Sequence, residues 1–384
     1  YEFSKKIIKE AELLKTLQNT EETKKRKDLR HVTTITIDPN DAKDFDDAIS
    51  LEIKEKKIEI GIHIADVSHF LKEGSVLDKE AYLRGTTVYL VDRVVPMLPE
   101  FLSNNLCSLR PNEDKYTFSA IFTFDENYKI EEEWFGKTII NSNKRLGYKE
   151  AQHIIENQKR IIPKEISLSK EPYSITKEVK EAIILLNNIA TDLRSKRIEK
   201  GSILFNKKEV KFILNKKKEP INTIIKESKA ANKLVEEFML LANKKVAEIF
   251  SKQKKKKNIY RVHDQPDDKK LIVLERVIKN LGYKNRFGSH KNLHNNINDL
   301  LKKVEKTPEK NLIDTLVIRS MSKAKYSSKN IGHFGLSFEK YTHFTSPIRR
   351  YPDVIVHRNL EKILKKNQKN NNNLEDQCIY LSRR

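Results

Sequence analysis

Cysteine is nearly missing from this sequence: Cys107 and Cys378 are the only two in 384 residues and lie far apart. Without metal-type spacing they exclude a disulfide framework and a cysteine-based zinc module, and they point to a reducing, cytoplasmic setting. No apolar run approaches the ~18 residues of a membrane span, and the opening Tyr1-Glu-Phe-Ser-Lys-Lys-Ile-Ile-Lys-Glu lacks the apolar core of a signal peptide. A Gly-x4-Gly-Lys-Ser/Thr phosphate loop is absent too, which sets aside nucleotide triphosphate chemistry of that type, and there is no internal repeat.

Positive charge, by contrast, is plentiful. Lys and Arg number 76 against 54 Asp and Glu, a formal net charge of +22. Such a field suits a polyanion, either nucleic acid or a membrane surface. The abundance of Lys, Ile and Asn together is also what an AT-rich genome produces, so charge alone does not choose. Hydrophobic residues at 38% in patterned runs give the chain a core to fold around.

Apolar residues at Ile7, Ile8, Ala11, Leu14 and Leu17 repeat with a helical period and then give way to the charged run 21–28; residues 1–30 read as a lead-in helix and linker. From residue 31 the pattern is β. Runs at Thr33–Ile37, Ile49–Ile53, Ile58–Ile64, Tyr116–Phe124 and Ile130–Ile140 are expected as strands of one sheet. A long helix is expected from about Ile175, stopping at Gly201, then strands at Ile203–Phe205 and Val210–Leu214 and a helix over Ala230–Phe250. Further helical patterns run from Lys269 to Leu281, Leu293 to Val304 and Asn311 to Met321. The fold class is therefore α/β, mixed towards α+β, with the sheet in the first half. Lys254–Lys257 and Asn370–Asn373 read as solvated loops, the lysines with a basic RNA-contacting loop as the minority alternative.

Five carboxylates fall within ten residues in Asp38-Pro-Asn-Asp41-Ala-Lys-Asp44-Phe-Asp46-Asp47, at the end of an expected strand. Like charges at this spacing raise one another's pKa unless a cation answers them, and an all-oxygen donor set asks for magnesium or manganese. A calcium EF-hand does not fit, because its fifth and sixth positions fall on Ala42 and Lys43. An acidic metal pocket in a basic protein matches phosphodiester cleavage. The competing reading is an ordinary solvated acidic loop.

A second stretch is His343-Phe-Thr-Ser346-Pro347-Ile-Arg349-Arg350-Tyr351-Pro352-Asp353. Ser346 is expected as an N-cap and Pro347 as the first helical residue, with an irregular or kinked start at Pro352. Arg349 and Arg350 would then lie in the first turn, where backbone N–H groups attract a phosphate. The plainer alternative is that one of the arginines merely pairs with Asp353 or a neighbouring carboxylate.

These two stretches, with His63-Ile-Ala-Asp-Val-Ser-His69, Arg93-Val-Val-Pro-Met-Leu-Pro99, Leu102-Ser-Asn-Asn-Leu-Cys-Ser-Leu109, Glu236-Glu-Phe-Met-Leu-Leu-Ala-Asn243 and Tyr260-Arg-Val-His-Asp264, resemble the ribonuclease II and ribonuclease R family, in wording nearer the ribonuclease R branch. The resemblance implies an RNB-type catalytic domain over residues 31–384, with helices around a channel for single-stranded RNA. It implies processive, hydrolytic release of 5′-monophosphates from the 3′ end. Asp38, Asp44, Asp46 and Asp47 would hold Mg2+ in a two-metal arrangement, with Mn2+ as a possible substitute and Asp46 most important for the chemical step. Arg349 would position the phosphate beside Arg350, and Tyr89 would stack on the terminal base. Asp41 matches no conserved role and reads as outer or solvated. His63, His69, His263 and His357 read as mostly structural.

The family's flanking OB-fold domains and its final helical stretch have no counterpart here, so a fragment truncated at its C-terminal end is expected. Two other readings stay open: a catalytically weak or inactive RNA-binding module, and a metal nuclease that also accepts DNA. As partners the resemblance implies single-stranded RNA and no membrane. A monomer is expected, with ribosome or RNA-decay association in the full-length protein.

Overall fold

The computed structural model describes residues 2–204, 209–215, 217–253, 257–287, 292–366 and 373–384. The chain begins with α1 (Lys5–Leu13) and α2 (Thr20–Lys24) and enters the sheet at β1 (Lys27–Asp28), β2 (Thr34–Asp38), β3 (Asp47–Lys54) and β4 (Lys57–Ala65). Two helices, α3 (Val67–Phe70) and α4 (Val76–Arg84), lead to a small hairpin of β5 (Val88–Tyr89) and β6 (Val94–Val95). The long hairpin β7 (Asp114–Phe124) and β8 (Ile130–Asn141) follows, then β9 (Lys144–Gly147) and α5 (Tyr148–Asn157). A two-residue ribbon, β10 (Ile161–Ile162) with β11 (Tyr173–Ser174), precedes α6 (Lys177–Glu199), a second hairpin β12 (Glu209–Leu214) and β13 (Pro220–Lys226), and α7 (Ala230–Ser251). The remainder is largely helical: α8 (Asp268–Asn280), α9 (Leu293–Lys303), α10 (Lys310–Ser320), α11 (Tyr351–Leu364) and α12 (Leu374–Ser382).

Seven strands form one sheet in the order β1-β8-β7-β4-β3-β2-β9, parallel at its two outer pairings and antiparallel between. The expected β-branched runs are these strands, and all lie in the first half of the chain. β7 is buried along nearly its whole length, as a central strand covered on both faces should be. Helices α6 and α7 pack against β3 and β4, while α11 reaches β7 through Phe118, whose ring meets Phe344 and His357 edge-on at 5.6 and 5.3 Å. Helices α8, α9 and α10 close a separate small core around Leu274, Ile297, Leu300 and Val317.

Three expectations are corrected. The charged run 21–28 is not a linker: it forms α2 and then β1, which pairs parallel with β8 at Thr138 and Ile139. Arg26 can be buried there because Asp66 and Glu22 answer its charge at 2.9 and 2.8 Å and the Tyr116 ring faces it at 4.0 Å. Gly201, at φ +96°, does end the long helix, but Ile203 and Leu204 are not a strand. The Ile203 side chain joins the small helical core and its N–H donates to the Gly335 carbonyl at 3.0 Å, which draws the chain off any sheet. Phe205, Lys254–Lys256 and Asn370–Asn372 lie outside the described residues. The third correction concerns Ser346 and belongs to the site.

Candidate active site

The acidic loop joins two neighbouring strands that part company. β2 pairs with β3 only at Thr34–Ser50 and Ile35–Ile49, then continues beside β9 as far as Asp38–Gly147. Asp38 therefore ends one strand and Asp47 begins another across the resulting split. The loop between is fastened from outside. Arg145, on β9, donates through Nη2 to the carbonyls of Pro39, Asn40 and Ala42 at 3.1, 3.0 and 3.2 Å. Ser108 accepts from Phe45 N at 3.0 Å and donates to the Lys43 carbonyl at 2.8 Å, and Asp46 is anchored to β4 by Ala65 N at 2.9 Å.

Four of the five carboxylates gather at the split within electrostatic reach of one another. Asp38 and Asp46 are buried, and Asp38 Oδ2 has no hydrogen-bond partner. Burial, reinforced by the charges of Asp47 and Asp44, holds Asp38 well above the usual carboxylate range. Burial lifts Asp46 in the same direction, with Arg349 and the Ile348 N–H opposing it, and pushes Asp47 up to about 6. Asp41 stands apart: its carboxylate pairs with Lys211 at 2.7 Å in an exposed position.

Across the split lies the arginine turn, and here the structure departs from the expected helix start. Ser346 is not an N-cap. Its carbonyl accepts from Arg349 N and Arg350 N in a turn, Arg350 is the cap residue, and α11 begins at Tyr351 with Pro352 in its first turn. The cause is distant in sequence. Gly85, at φ +70° after α4, turns the chain so that its carbonyl accepts from Tyr351 N at 2.9 Å, while Thr87 N and Thr86 Oγ1 donate to the Arg349 carbonyl at 3.0 and 2.9 Å. This pairing holds Arg350 extended and delays the helix.

The two arginines separate as a result. Arg349 Nε lies 3.5 Å from Asp46 Oδ2 with its side chain 43% exposed, and Ile348 N donates to Asp46 Oδ1 at 2.8 Å. Arg350, expected beside it as an RNA contact, instead turns inward to Asp353 at 2.8 Å. Buried Asp353 also receives the Ser346 N–H at 2.8 Å, so the plainer reading of an ion pair holds for Arg350. Tyr89 is 55% exposed on the β5–β6 hairpin rather than packed in the core, and its hydroxyl donates to Asp44 Oδ2 at 3.2 Å.

Asp38, Asp44, Asp46, Asp47, Arg349 and Tyr89 are thus brought together; Asp41 and Arg350 are not. The histidines stand elsewhere: His63 is buried between Ser119 and Ser50, His357 donates to the Phe344 carbonyl, His263 bonds the Ser322 carbonyl and His69 contacts the Leu17 carbonyl. Sequence reasoning missed Arg145 and the Ile348 N–H, for which no local signal exists, and Ser108, which lay in a quoted motif without a role. Among the described residues no three His, Cys, Asp or Glu side chains form a ready-made cage, and Asp44 and Asp46 accept hydrogen bonds from Tyr89 and Ile348. The donor set still fits a hard divalent cation, being oxygen-only, buried, and provided with an unpartnered oxygen on Asp38.

Fold and site together define a mixed α/β domain with a carboxylate-lined candidate metal centre where its sheet splits. The model of a family described as "RNB domain" matches residues 26–366, and the chain belongs to that family. It is 41% identical over 368 residues to "Ribonuclease R" of Thermotoga maritima, across 95% of this chain and 50% of that protein. It is likewise 41% identical over 359 residues to "DIS3-like exonuclease 2" of Schizosaccharomyces pombe, across 90% of this chain and 38% of the other. Among solved structures, Mycoplasma genitalium RNase R in complex with ribose methylated single-stranded RNA superposes with a TM-score of 0.89 at 28% identity, covering all of this chain and 59% of that one. The chain spans about half the length, or less, of these curated relatives. Among the described residues no helix is long and apolar enough to cross a membrane.

Proposed function

We propose that this domain hydrolyses single-stranded RNA processively from the 3′ end and releases nucleoside 5′-monophosphates. The observation that carries the reading is the buried oxygen-only cluster of Asp38, Asp46 and Asp47 with Arg349 at its rim, 3.5 Å from Asp46. Asp38, Asp44, Asp46 and Asp47 would hold Mg2+, with Mn2+ as a substitute and donors enough for two ions. Metal bound there supplies an acidified water and charge stabilisation of the phosphate. Arg349 meets the phosphate beside the broken bond, its partial exposure leaving the guanidinium accessible to substrate. Tyr89, exposed and tethered to Asp44, offers a ring for the terminal base, a contact indifferent to sequence. Ile348 N–H fixes Asp46, and Arg145 and Ser108 hold the loop that spaces the carboxylates.

Support for RNA as substrate comes from the family, from the relative solved with single-stranded RNA, and from the net charge of +22. Both cysteines are free and buried, which suits a monomer in the cytoplasm engaged in RNA turnover, with decay-machinery or ribosome contacts left to the longer protein. The test is a single-stranded RNA, labelled throughout its length and in parallel at its 5′ end, incubated with magnesium beside an EDTA control and Asp46→Asn. Mononucleotides and a short limit product, from the wild-type chain with metal only, are expected. Internal fragments would overturn the exonuclease reading, and bound but intact RNA would leave a binding module in its place.

A further inference from the structure

Asp41, the carboxylate that stays out of the cluster, marks a second feature of the site. Its partner Lys211 lies on β12, and at the far end of the same β12–β13 hairpin Lys218 pairs with Asp92 at 3.6 Å. Asp41 sits midway along the loop between Asp38 and Asp44, and Asp92 lies in the turn of the hairpin that carries Tyr89. The β12–β13 hairpin therefore touches both borders of the candidate site, the metal-loop side and the base-stacking side. Both pairs are solvent-exposed on the lysine side, 63% and 61%, so each contributes little stability and its lysine can exchange one anion for another.

The hairpin's own surface is unusual for a two-stranded ribbon. Because side chains alternate across a strand, turning Lys211 towards Asp41 puts Val210 and Phe212 on the opposite face, where Val210 lies across from Ile225. All three are about half exposed, at 57%, 45% and 58%. Between residues 209 and 229 there are six lysines against three glutamates. An exposed aromatic and aliphatic face edged by lysines is what a single-stranded polynucleotide fits: flat base faces against the apolar side chains, phosphates against the ammonium groups. A protein partner of ordinary surface composition would be repelled by this density of like charge or would need to be acidic.

We infer that the β12–β13 hairpin, held at the mouth of the site by Asp41 and Asp92, is an RNA-binding wall. Nucleotides upstream of the reacting end stack on Phe212, and their phosphates meet Lys217 and Lys218 at the hairpin's turn, while Lys211 on the other face anchors the hairpin to Asp41. This rests on the proposed RNA chemistry, so the test separates the two. In the Asp46→Asn background, binding of oligouridylates of about 3 and about 12 nucleotides is compared for Phe212→Ala, Phe212→Trp and the pair Lys217→Gln with Lys218→Gln.

Phe212→Ala is expected to weaken the longer oligomer about 5- to 10-fold and the shorter less than about 2-fold, with Phe212→Trp restoring the longer. The lysine pair is expected to flatten the salt dependence for the longer oligomer only. Equal loss at both lengths, no loss at either, or failure of tryptophan to restore binding overturns the inference. If the wild-type chain cleaves RNA while Phe212→Ala binds normally, the hairpin reading falls alone. If it never cleaves yet the length-dependent loss is seen, the hydrolysis reading falls and the hairpin stands.

Discussion

Two sets of buried carboxylates in this molecule are treated in opposite ways. Asp66 is fully buried, and burial alone would drive its carboxyl upward; Lys137 at 2.6 Å and Arg26 at 2.9 Å override that and hold it well below the ordinary range. Ser68 Oγ at 2.9 Å and His69 N at 3.2 Å complete its hydrogen bonds. Asp38 and Asp46 are also buried and Asp47 partly so, yet all three are held above the range although Arg349, Arg350 and Arg145 lie within electrostatic reach, and an Asp38 oxygen is left without a partner. The chain has cations in abundance, so this is no shortage of supply. Where a carboxylate serves the fold the protein builds its counter-ion in; at the candidate site, under the proposed metal chemistry, positive charge is left to come from solution.

The comparison breaks most visibly at Asp66. Asp66→Asn leaves Arg26 and Lys137 without their buried partner and is expected to destabilise the domain by about 3–5 kcal/mol in urea unfolding. A loss near zero would mean the two sets do not differ in kind. Next in size, Asp46→Asn is expected to slow mononucleotide release about 10^2- to 10^3-fold. Asp38→Asn, in EDTA, is expected to stabilise the metal-free domain, since it removes a carboxyl whose ionisation the fold disfavours. Destabilisation by that variant would show that the Asp38 charge is satisfied within the protein after all.

The two sets also differ in how much of them could be read from the chain. Crowding within ten residues marked the acidic run as a whole, because that signal is local, while only the family resemblance set Asp38, Asp44, Asp46 and Asp47 apart from Asp41. The β-branched runs likewise gave the strands, since a period of two needs no distant information. Arg26 lay in a charged run that looked solvated, and its burial depends on Asp66 and Tyr116, forty and ninety residues on. Ser346 followed by Pro347 carries a sound local helix signal, yet Gly85, Thr86 and Thr87, more than 250 residues earlier, claim the backbone of Arg349 and Tyr351 first. That non-local pairing also decides which arginine faces the site and which faces Asp353.

Acid sharpens the contrast, because the two sets respond to pH with opposite sign. Asp66 has a lowered folded pKa, so its stabilisation is complete above the unfolded value near 3.8 and is lost as pH falls below it. Asp47, raised to about 6, binds its proton more tightly in the fold than in the unfolded chain, so metal-free stability declines as pH rises from about 4 through 6. Thermal melts in EDTA are expected to show that decline over this window, and saturating Mg2+ or Mn2+ to abolish it. A decline unaffected by metal would separate the titrating group from the cation site.

The smallest effect is expected at Asp41, and it tests whether position in the acidic run or burial defines membership of the site. Asp41 lies three residues from both Asp38 and Asp44, but it is 69% exposed and meets Lys211 instead of the split in the sheet. An exposed pair of this kind contributes under about 1 kcal/mol. Asp41→Asn is therefore expected to change unfolding stability by less than about 0.5 kcal/mol and to leave the Mn2+ affinity, read by paramagnetic resonance, within about 2-fold, against a loss of about 10-fold or more for Asp38→Asn. Equal losses for the two would place Asp41 among the ligands. The defining property of the site would then be the length of the loop rather than the parting of β2 from β3.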